Sequence, residues 1–153
     1  MVDYTLVKEL TQHLTVLYVE DDEVLQFVGK DLFSKFFKHI DVMSDGAKGL
    51  EQYKKYKNEN NNCYDIIITD INMPNMDGFE MSKEILIINE FQEIIITSSH
   101  SEEHYLDESS RMGIKNYLLK PIDFDALITV LYKISKKIKT SSLENYSELM
   151  KAN

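Results

Sequence analysis

The sequence predicts an α/β fold in which a five-stranded parallel sheet carries helices on both faces. Short apolar or β-branched runs alternate with longer stretches of helical periodicity, and the alternation repeats about five times along the 153 residues. This order is typical of a doubly wound parallel sheet. Two of the runs contain three consecutive isoleucines, at 66–68 and 94–96. Continuous apolarity indicates strands that are buried on both faces.

Five strands are predicted from these runs. They cover residues 15–19 (TVLYV), 39–43 (HIDVM), 65–69 (DIIIT), 93–97 (EIIIT) and 115–118 (KNYL). The intervening stretches predict helices at 23–37, 47–58, 80–89, 102–112 and 124–139. In the last helix the apolar residues recur at steps of three and four and form one stripe, made by Phe124, Leu127, Ile128, Leu131, Ile134 and Ile138.

Loop and cap signals agree with this division. Gly46, Gly78 and Gly113 are predicted at loops, and residues 58–62 (NENNN) form a polar loop. Asp123 is placed to cap the last helix. Four lysines at positions 133, 136, 137 and 139 are predicted on the exposed face and at the C-terminal end of that helix, where they would complement its dipole.

The chain divides into a central domain with two flanks. Residues 1–13 form an N-terminal lead with a short amphipathic helix, and residues 14–139 form the domain. Residues 140–153 (TSSLENYSELMKAN) are a C-terminal tail that the sequence leaves open between a disordered segment, an extension of the last helix and the start of a linker.

Composition excludes several classes of protein. The chain has 17 Lys and Arg against 26 Asp and Glu, a net charge of −9, and its single arginine is Arg111. Nucleic-acid partners are therefore not expected, because phosphate contacts need a clustered basic face. No apolar run approaches the length of a membrane span or of a signal peptide core. A lone thiol, Cys63, suits a reducing compartment, so the expected location is the cytoplasm.

Charged or reactive side chains follow four of the five predicted strands. In an open parallel sheet, ligands bind outside the carboxyl ends of the strands. The residues expected there are Glu20, Asp21 and Asp22 after the first strand, Asp70 after the third, Ser98 and Ser99 after the fourth, and Lys120 with Pro121 after the fifth. If the first and third strands are neighbours, as in the strand order 2-1-3-4-5, their carboxylates converge.

Converging carboxylates suggest a cation and a phosphoryl group. Like charges held close together disfavour ionisation unless a cation relieves them. Hard oxygen ligands without nearby His or Cys suit Mg²⁺. A metal, a lysine and a small hydroxyl together are suited to stabilising the charge of a phosphoryl group, and an Asp carboxylate is a known nucleophile toward phosphorus.

These residues resemble a known family, the receiver domains of two-component response regulators, typified by the chemotaxis response regulator. The resemblance covers residues 14–139 and implies a flavodoxin-like fold with strand order 2-1-3-4-5. The motifs that carry it are Val19-Glu20-Asp21-Asp22, Thr69-Asp70-Ile71-Asn72-Met73-Pro74-Asn75-Met76-Asp77-Gly78, Thr97-Ser98-Ser99 and Tyr117-Leu118-Leu119-Lys120-Pro121.

The resemblance implies a role for each site residue. Asp70 would be the phosphorylated residue, and Lys120 would pair with a phosphoryl oxygen. Asp21 would ligate Mg²⁺ directly, Glu20 through a bound water and Asn72 through its backbone carbonyl, with Mn²⁺ as a substitute metal. Ser98 and Tyr117 would form the switch that responds to phosphorylation, and the peptide bond before Pro121 would be cis.

Three assignments depend on further arguments. Glu20 and Asp21 are preferred over Asp21 and Asp22 as the acidic pair, because Asp22 then falls where a helix N-cap belongs. Thr97 and Ser98 are both candidates for the switch hydroxyl, and the family's usual interval before Lys120 selects Ser98. Asn72 and His100 are expected near the entrance for attacking water, where titration of His100 would make the lifetime of the phosphoryl group pH-dependent.

The resemblance implies a signalling module with only self-phosphorylation and autodephosphorylation as activities. The phosphoryl donor would be a sensor histidine kinase or a histidine phosphotransfer protein, and the output surface would be formed by residues 102–112, 115–118 and 124–139. One alternative is a haloacid-dehalogenase-type phosphatase, which needs a second acid two residues after its nucleophile, where this chain has Asn72. The other alternative is a receiver-like docking or dimerisation module that is not phosphorylated.

Overall fold

A five-stranded parallel sheet forms the centre of the molecule, as predicted. In the computed structural model, which describes residues 2–99 and 103–152, the strand order is β2-β1-β3-β4-β5. The strands are β1 (Thr15–Val19), β2 (His39–Met43), β3 (Ile66–Asp70), β4 (Glu93–Ser98) and β5 (Asn116–Leu119). The helices are α1 (Tyr4–Thr11), α2 (Glu23–Phe33), α3 (Gly46–Asn60), α4 (Gly78–Ile88), α5 (Glu103–Arg111) and α6 (Phe124–Lys151).

The sheet separates two hydrophobic cores, because successive side chains of a strand point to opposite faces. Ile66 and Ile68 of β3 lie in the first core, which α1, α2 and α6 cover. Ile67 lies in the second core, which α3 and α4 cover. Burial of the isoleucine runs on both faces confirms the interpretation of their continuous apolarity.

Aspartate side chains cap five helices at their N-termini. In each case the carboxylate accepts a hydrogen bond from a backbone N–H in the first turn, which has no partner within the helix. The capping residues are Asp3, Asp22, Asp45, Asp77 and Asp123. Capping by Asp22 and by Asp123 confirms both predictions.

Five predictions about local structure need correction. Residues 58–60 belong to helix α3 and not to the polar loop, because the helix ends only where Asn61 adopts a left-handed conformation. Gly46 and Gly78 are the first residues of helices and not loop residues, because the caps at Asp45 and Asp77 precede them. Helix α2 ends at Phe33 and not at 37, since the chain turns there to bury Phe36 and Phe37 in the first core. Helix α6 continues to Lys151, so the four lysines lie in its middle and do not complement its C-terminal dipole.

The N-terminal helix α1 is part of the packed structure. Val7 and Thr11 are fully buried, and the ring of Tyr4 meets that of Phe36 edge-on at 5.5 Å between centroids. The Thr11 hydroxyl donates to the Val7 carbonyl oxygen at 2.8 Å, and the Phe36 carbonyl oxygen lies within hydrogen-bond distance of the same hydroxyl. Helix α1 therefore contributes to the first core. Among the described residues, no helix combines the length and apolarity needed to cross a membrane.

Candidate functional site

Acidic side chains meet at the carboxyl edge of the sheet. Glu20 directly follows β1, and Asp70 is the last residue of neighbouring β3. One carboxylate oxygen from each of Glu20, Asp21 and Asp70 lies within 4.8 Å of the others. Glu20 is 1% exposed, Asp70 is half-buried and Asp21 is exposed, so the cluster is partly open to solvent.

A single lysine bridges two of these acids. The Lys120 ammonium donates to Glu20 Oε2 at 2.6 Å and lies 3.3 Å from Asp70 Oδ2. Burial raises the pKa of Glu20, and the hydrogen bond from Lys120 offsets only part of that effect. Burial alone would lower the pKa of Lys120, but its hydrogen bond to Glu20 and the charge of Asp70 raise it overall. Lys120 is therefore a fixed positive charge at neutral pH.

The donor set suits a hard divalent cation. Three carboxylates face one ammonium, which leaves an excess of negative charge in a partly buried place. Oxygen ligands that are partly solvated fit Mg²⁺, which keeps several of its waters. Glu20, Asp21 and Asp70 would hold such an ion.

The segment after β3 is fixed against the start of α3. Asp45 is buried, and while its Oδ1 caps α3 through the Lys48 N–H at 2.8 Å, its Oδ2 accepts from Asn75 Nδ2 at 2.9 Å. The Gly46 N–H donates to the Met76 carbonyl oxygen at 3.0 Å. We call the hydrogen bonds Asn75–Asp45 and Gly46–Met76 the Asp45 clamp.

Gly78 allows the same segment to close tightly. Its N–H donates to the Ile71 carbonyl oxygen at 2.8 Å, and a Cβ at this position would lie 2.0 Å from the Asp70 carbonyl oxygen. Any larger residue would therefore displace the backbone of Asp70. The Asp45 clamp and the close approach of Gly78 together hold the loop that carries Asn72, whose side chain is exposed.

The remaining predicted residues lie around this cluster. Ser98 is buried at the end of β4, and Tyr117 is half-buried in β5. The Lys120–Pro121 peptide bond is cis. The position of His100 lies outside the described residues.

Sequence reasoning missed three contributors to the site. Asp45 lies two residues before the predicted helix start at 47, and an aspartate close to a helix start is a cap signal that would have found it. Asn75 has φ +69°, a conformation that asparagine tolerates, but its contact with a residue 30 positions away has no local signal. Tyr18 is buried, and burial raises its pKa, with the charges of Glu20 and Asp70 adding to the effect.

Comparisons with known proteins agree with this geometry. Residues 16–132 match the family model of the response regulator receiver domain. The chain is 31% identical over 122 residues to the chemotaxis protein CheY of Thermotoga maritima, covering 79% of this chain and 97% of that protein. It is 29% identical over 126 residues to the two-component response regulator ARR10 of Arabidopsis thaliana, covering 82% of this chain but only 22% of that protein.

A solved structure shows the same architecture. The receiver domain of the Francisella response regulator 1452 superimposes with a TM-score of 0.69 at 28% sequence identity, covering 82% of this chain and 99% of that chain. The chain thus covers nearly the whole of the CheY relative and about a fifth of ARR10.

Proposed function

The chain belongs to the family of response regulator receiver domains, which are signalling modules of two-component systems, and we propose that Asp70 is its phosphoryl acceptor. The donor is the phosphohistidine of a sensor histidine kinase or of a histidine phosphotransfer protein. The observation that carries this proposal is the position of Asp70. It lies in one carboxylate cluster with Glu20 and Asp21, and the Lys120 ammonium contacts both Asp70 and Glu20.

The transfer exchanges one bond to phosphorus for another. An oxygen of the Asp70 carboxylate attacks phosphorus in line with the leaving nitrogen, so that the new P–O bond forms as the P–N bond breaks and the imidazole keeps the electron pair. A bound Mg²⁺ supplies additional positive charge for the phosphoryl oxygens. Water later attacks the acyl phosphate, which restores the Asp70 carboxylate and releases inorganic phosphate.

Residues of the chain itself position and stabilise the phosphoryl group. Lys120 is 16% exposed, and in such a partly desolvated place its charge interacts more strongly with developing negative charge than it would in water. The Asp45 clamp and Gly78 keep the loop after Asp70 in one arrangement. Asn72 and His100 influence the lifetime of the phosphoryl group through the access of water.

Phosphorylation then changes the surface of the domain. Ser98 and Tyr117 are the residues that respond. Ser98 is the last residue of β4, which pairs with the strand of Asp70, and Tyr117 lies in β5, which pairs with β4. The output surface comprises α5, β5 and residues 124–139 of α6, and it binds a downstream protein. Phosphorylation shifts an equilibrium between two conformations of the domain because it stabilises one of them more than the other.

Intact mass spectrometry tests the proposal directly. The protein is incubated with acetyl phosphate, with and without Mg²⁺, as wild type and as Asp70→Asn. We expect a single phosphoryl adduct that depends on Mg²⁺ and is absent from the variant. Absence of the adduct from the wild type, both with acetyl phosphate and with a panel of phosphorylated histidine kinases, would instead favour the docking module that is not phosphorylated.

A further inference from the structure

One buried hydroxyl in the sheet lacks a hydrogen bond. Thr97 is 1% exposed, and its Oγ1 has no hydrogen-bond partner among the described residues. Burying an unpaired hydroxyl lowers the stability of a folded protein, whereas valine has nearly the same shape and carries no such penalty. The position of this hydroxyl in the fold therefore calls for an explanation.

Thr97 lies beside the proposed phosphorylation site. In the register of β3 and β4 it is the direct partner of Asp70. Along β4, Ile94 and Ile96 belong to the second core, whereas Ile95 belongs to the first core. Because side chains alternate along a strand, Thr97 points to the side of the first core and Ser98 to the opposite side. Thr97 is therefore distinct in direction from the proposed switch residue.

Lys120 starts from the same side of the sheet. Thr97 pairs with Leu118 of β5, which lies in the first core, and Lys120 follows two residues later. The Lys120 N–H donates to the Ser98 carbonyl oxygen at 2.8 Å, which continues the pairing of β4 and β5 beyond the last strand residue. Lys120 thus follows the strand partner of Thr97 by two positions, and its ammonium lies beside Asp70, the direct partner of Thr97 in β3.

The ammonium of Lys120 has three N–H donors. Glu20 accepts one at 2.6 Å, and Asp70 lies at 3.3 Å. Glu20 is also one of the three residues that would hold a divalent cation. When Glu20 turns toward a cation, Lys120 loses its shortest contact and needs another acceptor to stay beside Asp70.

We propose that Thr97 is a positioning residue for Lys120: its hydroxyl accepts an N–H of the ammonium and holds it beside Asp70 once Glu20 has turned toward a divalent cation. This inference rests on the proposed function. It explains why the hydroxyl is unpaired while Lys120 is bound to Glu20. The unpaired hydroxyl then lowers stability in the state without cation and contributes a contact in the state that accepts the phosphoryl group.

Three variants separate this role from a structural one. Thr97→Val removes the hydroxyl at nearly constant volume, and Thr97→Ser keeps it. Thr11→Val is the matched control, because the Thr11 hydroxyl is also buried but is hydrogen-bonded far from the site. For each protein we measure the urea midpoint without divalent cation, the rate of labelling by acetyl phosphate with Mg²⁺, and the affinity for the phosphoryl mimic beryllofluoride.

We expect Thr97→Val to change stability and rate in opposite senses. Its urea midpoint rises, while labelling slows roughly tenfold and beryllofluoride binds correspondingly more weakly, as loss of one hydrogen bond to a charged group predicts. Thr97→Ser labels within about twofold of the wild-type rate, the margin expected when that hydrogen bond is kept. Thr11→Val lowers the midpoint without changing the rate.

Two results overturn the proposal. If Thr97→Val labels at the wild-type rate and binds beryllofluoride equally well, the hydroxyl has no positioning role. If Thr97→Ser is as slow as Thr97→Val, packing and not the hydroxyl controls the rate. A wild-type protein that is labelled neither by acetyl phosphate nor by the panel of phosphorylated histidine kinases contradicts the proposed function itself, and this inference with it, which distinguishes the two failures.

Discussion

Three carboxylates and one ammonium determine the chemistry at the scale of single residues. Glu20 is almost fully buried, and a buried carboxylate without a partner is strongly unfavourable. Lys120 provides that partner at 2.6 Å, and its second neighbour is the proposed nucleophile Asp70. The lysine is thus both a counter-ion for the resting site and a charge available to an incoming phosphoryl group.

Replacing Lys120 with methionine should destabilise the protein at neutral pH. The change Lys120→Met leaves Glu20 and Asp70 close together without a counter-ion, and we expect a loss of about 3 kcal/mol in the free energy of unfolding. The measurement is urea denaturation at pH 7. Lys137→Met is the control, because the Lys137 pair with Glu93 at 2.8 Å has a lysine that is 69% exposed, and such pairs contribute at most about 1 kcal/mol.

The same variant should show a defined pH dependence. The pKa of Glu20 in the folded protein is above its usual value of 4.5, so the folded state binds more protons than the unfolded state in the interval between the two values. Stability therefore falls as pH rises through that interval. Loss of Lys120 raises the pKa of Glu20 in the folded protein further, which widens this pH interval. The loss of stability in Lys120→Met should therefore be smaller at pH 5 than at pH 7. An equal loss at both pH values would contradict this account.

Sequence patterns located the acids and the lysine but not all of their surroundings. Glu20, Asp70 and Lys120 each follow an apolar strand, and strand ends meet at one edge of a parallel sheet, so their convergence was predictable. The unpaired hydroxyl of Thr97 was not, because the hydrogen bonds of a side chain depend on its neighbours in three dimensions. From the sequence, Thr97 was only an alternative to Ser98 as the switch hydroxyl.

At the scale of elements, the Asp45 clamp couples the start of α3 to the loop after β3. Backbone hydrogen bonding by the Lys48 N–H is the main reason that the pKa of Asp45 lies below its usual value of 3.8, with the Asn75 amide adding to it against the effect of burial. The carboxylate of Asp45 therefore stabilises the fold in its charged form. That contribution is present above pH 3.8 and is lost as pH falls through the lowered pKa.

Asp45→Ala should therefore be destabilising in a pH-dependent manner. We expect a loss of about 2 kcal/mol at pH 7, from the helix cap and the buried contact with Asn75, and a smaller loss near pH 3. Urea titrations at both pH values measure it. Asp77→Ala removes a helix cap that is not hydrogen-bonded to Asn75. The difference between the two variants therefore isolates the hydrogen bond between Asp45 and Asn75, and equal losses would show that this bond contributes nothing.

Truncations distinguish the two flanks, and we propose residues 14–139 as the unit that carries the site. The part of α6 from 140 to 151 is exposed throughout, so removing residues 140–153 should change the free energy of unfolding by less than about 0.5 kcal/mol. Removing residues 1–13 exposes the first core where Val7 and Thr11 are buried, and it should cost about 3 kcal/mol. Equal effects of both truncations in chemical denaturation would contradict this distinction.

Element types were more predictable than element ends. The alternation of strands and helices follows from apolar periodicity, which survives small errors of register. The predicted end of α2 was wrong because two buried phenylalanines, Phe36 and Phe37, continue the apolar periodicity of the helix through the turn that follows it. The end of α6 was left open because residues 140–151 contain no glycine or proline to stop a helix and no apolar stripe that packs on the domain.

At the scale of the whole molecule, the chain is acidic and its site concentrates that charge. A net charge of −9 and the cluster of Glu20, Asp21 and Asp70 both attract divalent cations. A ligand that binds only the folded state stabilises it by mass action. Folding stability should therefore report cation binding without any phosphoryl donor.

We expect the urea midpoint to rise with the concentration of MgCl₂ at constant ionic strength. Once the concentration of free Mg²⁺ exceeds the dissociation constant, each further tenfold increase adds about 1.4 kcal/mol to the free energy of unfolding. Asp21→Asn should weaken this dependence, whereas Asp22→Asn should retain it, because Asp22 caps α2 and asparagine caps equally well. A dependence that is also lost in Asp22→Asn would assign the metal to the other acidic pair, Asp21 and Asp22.

The contact between Lys120 and Glu20 joins residues 100 positions apart, across a sheet in which β3 and β4 lie between their strands. Closing so long a segment is entropically costly, and contacts of this separation slow folding. A chain that has assembled β1 and β3 but has not yet added β5 would present the three carboxylates without their lysine. Such an incompletely folded chain is expected to chelate divalent cations more strongly than the finished protein, so the arrival of β5 both completes the sheet and moderates its affinity for metal.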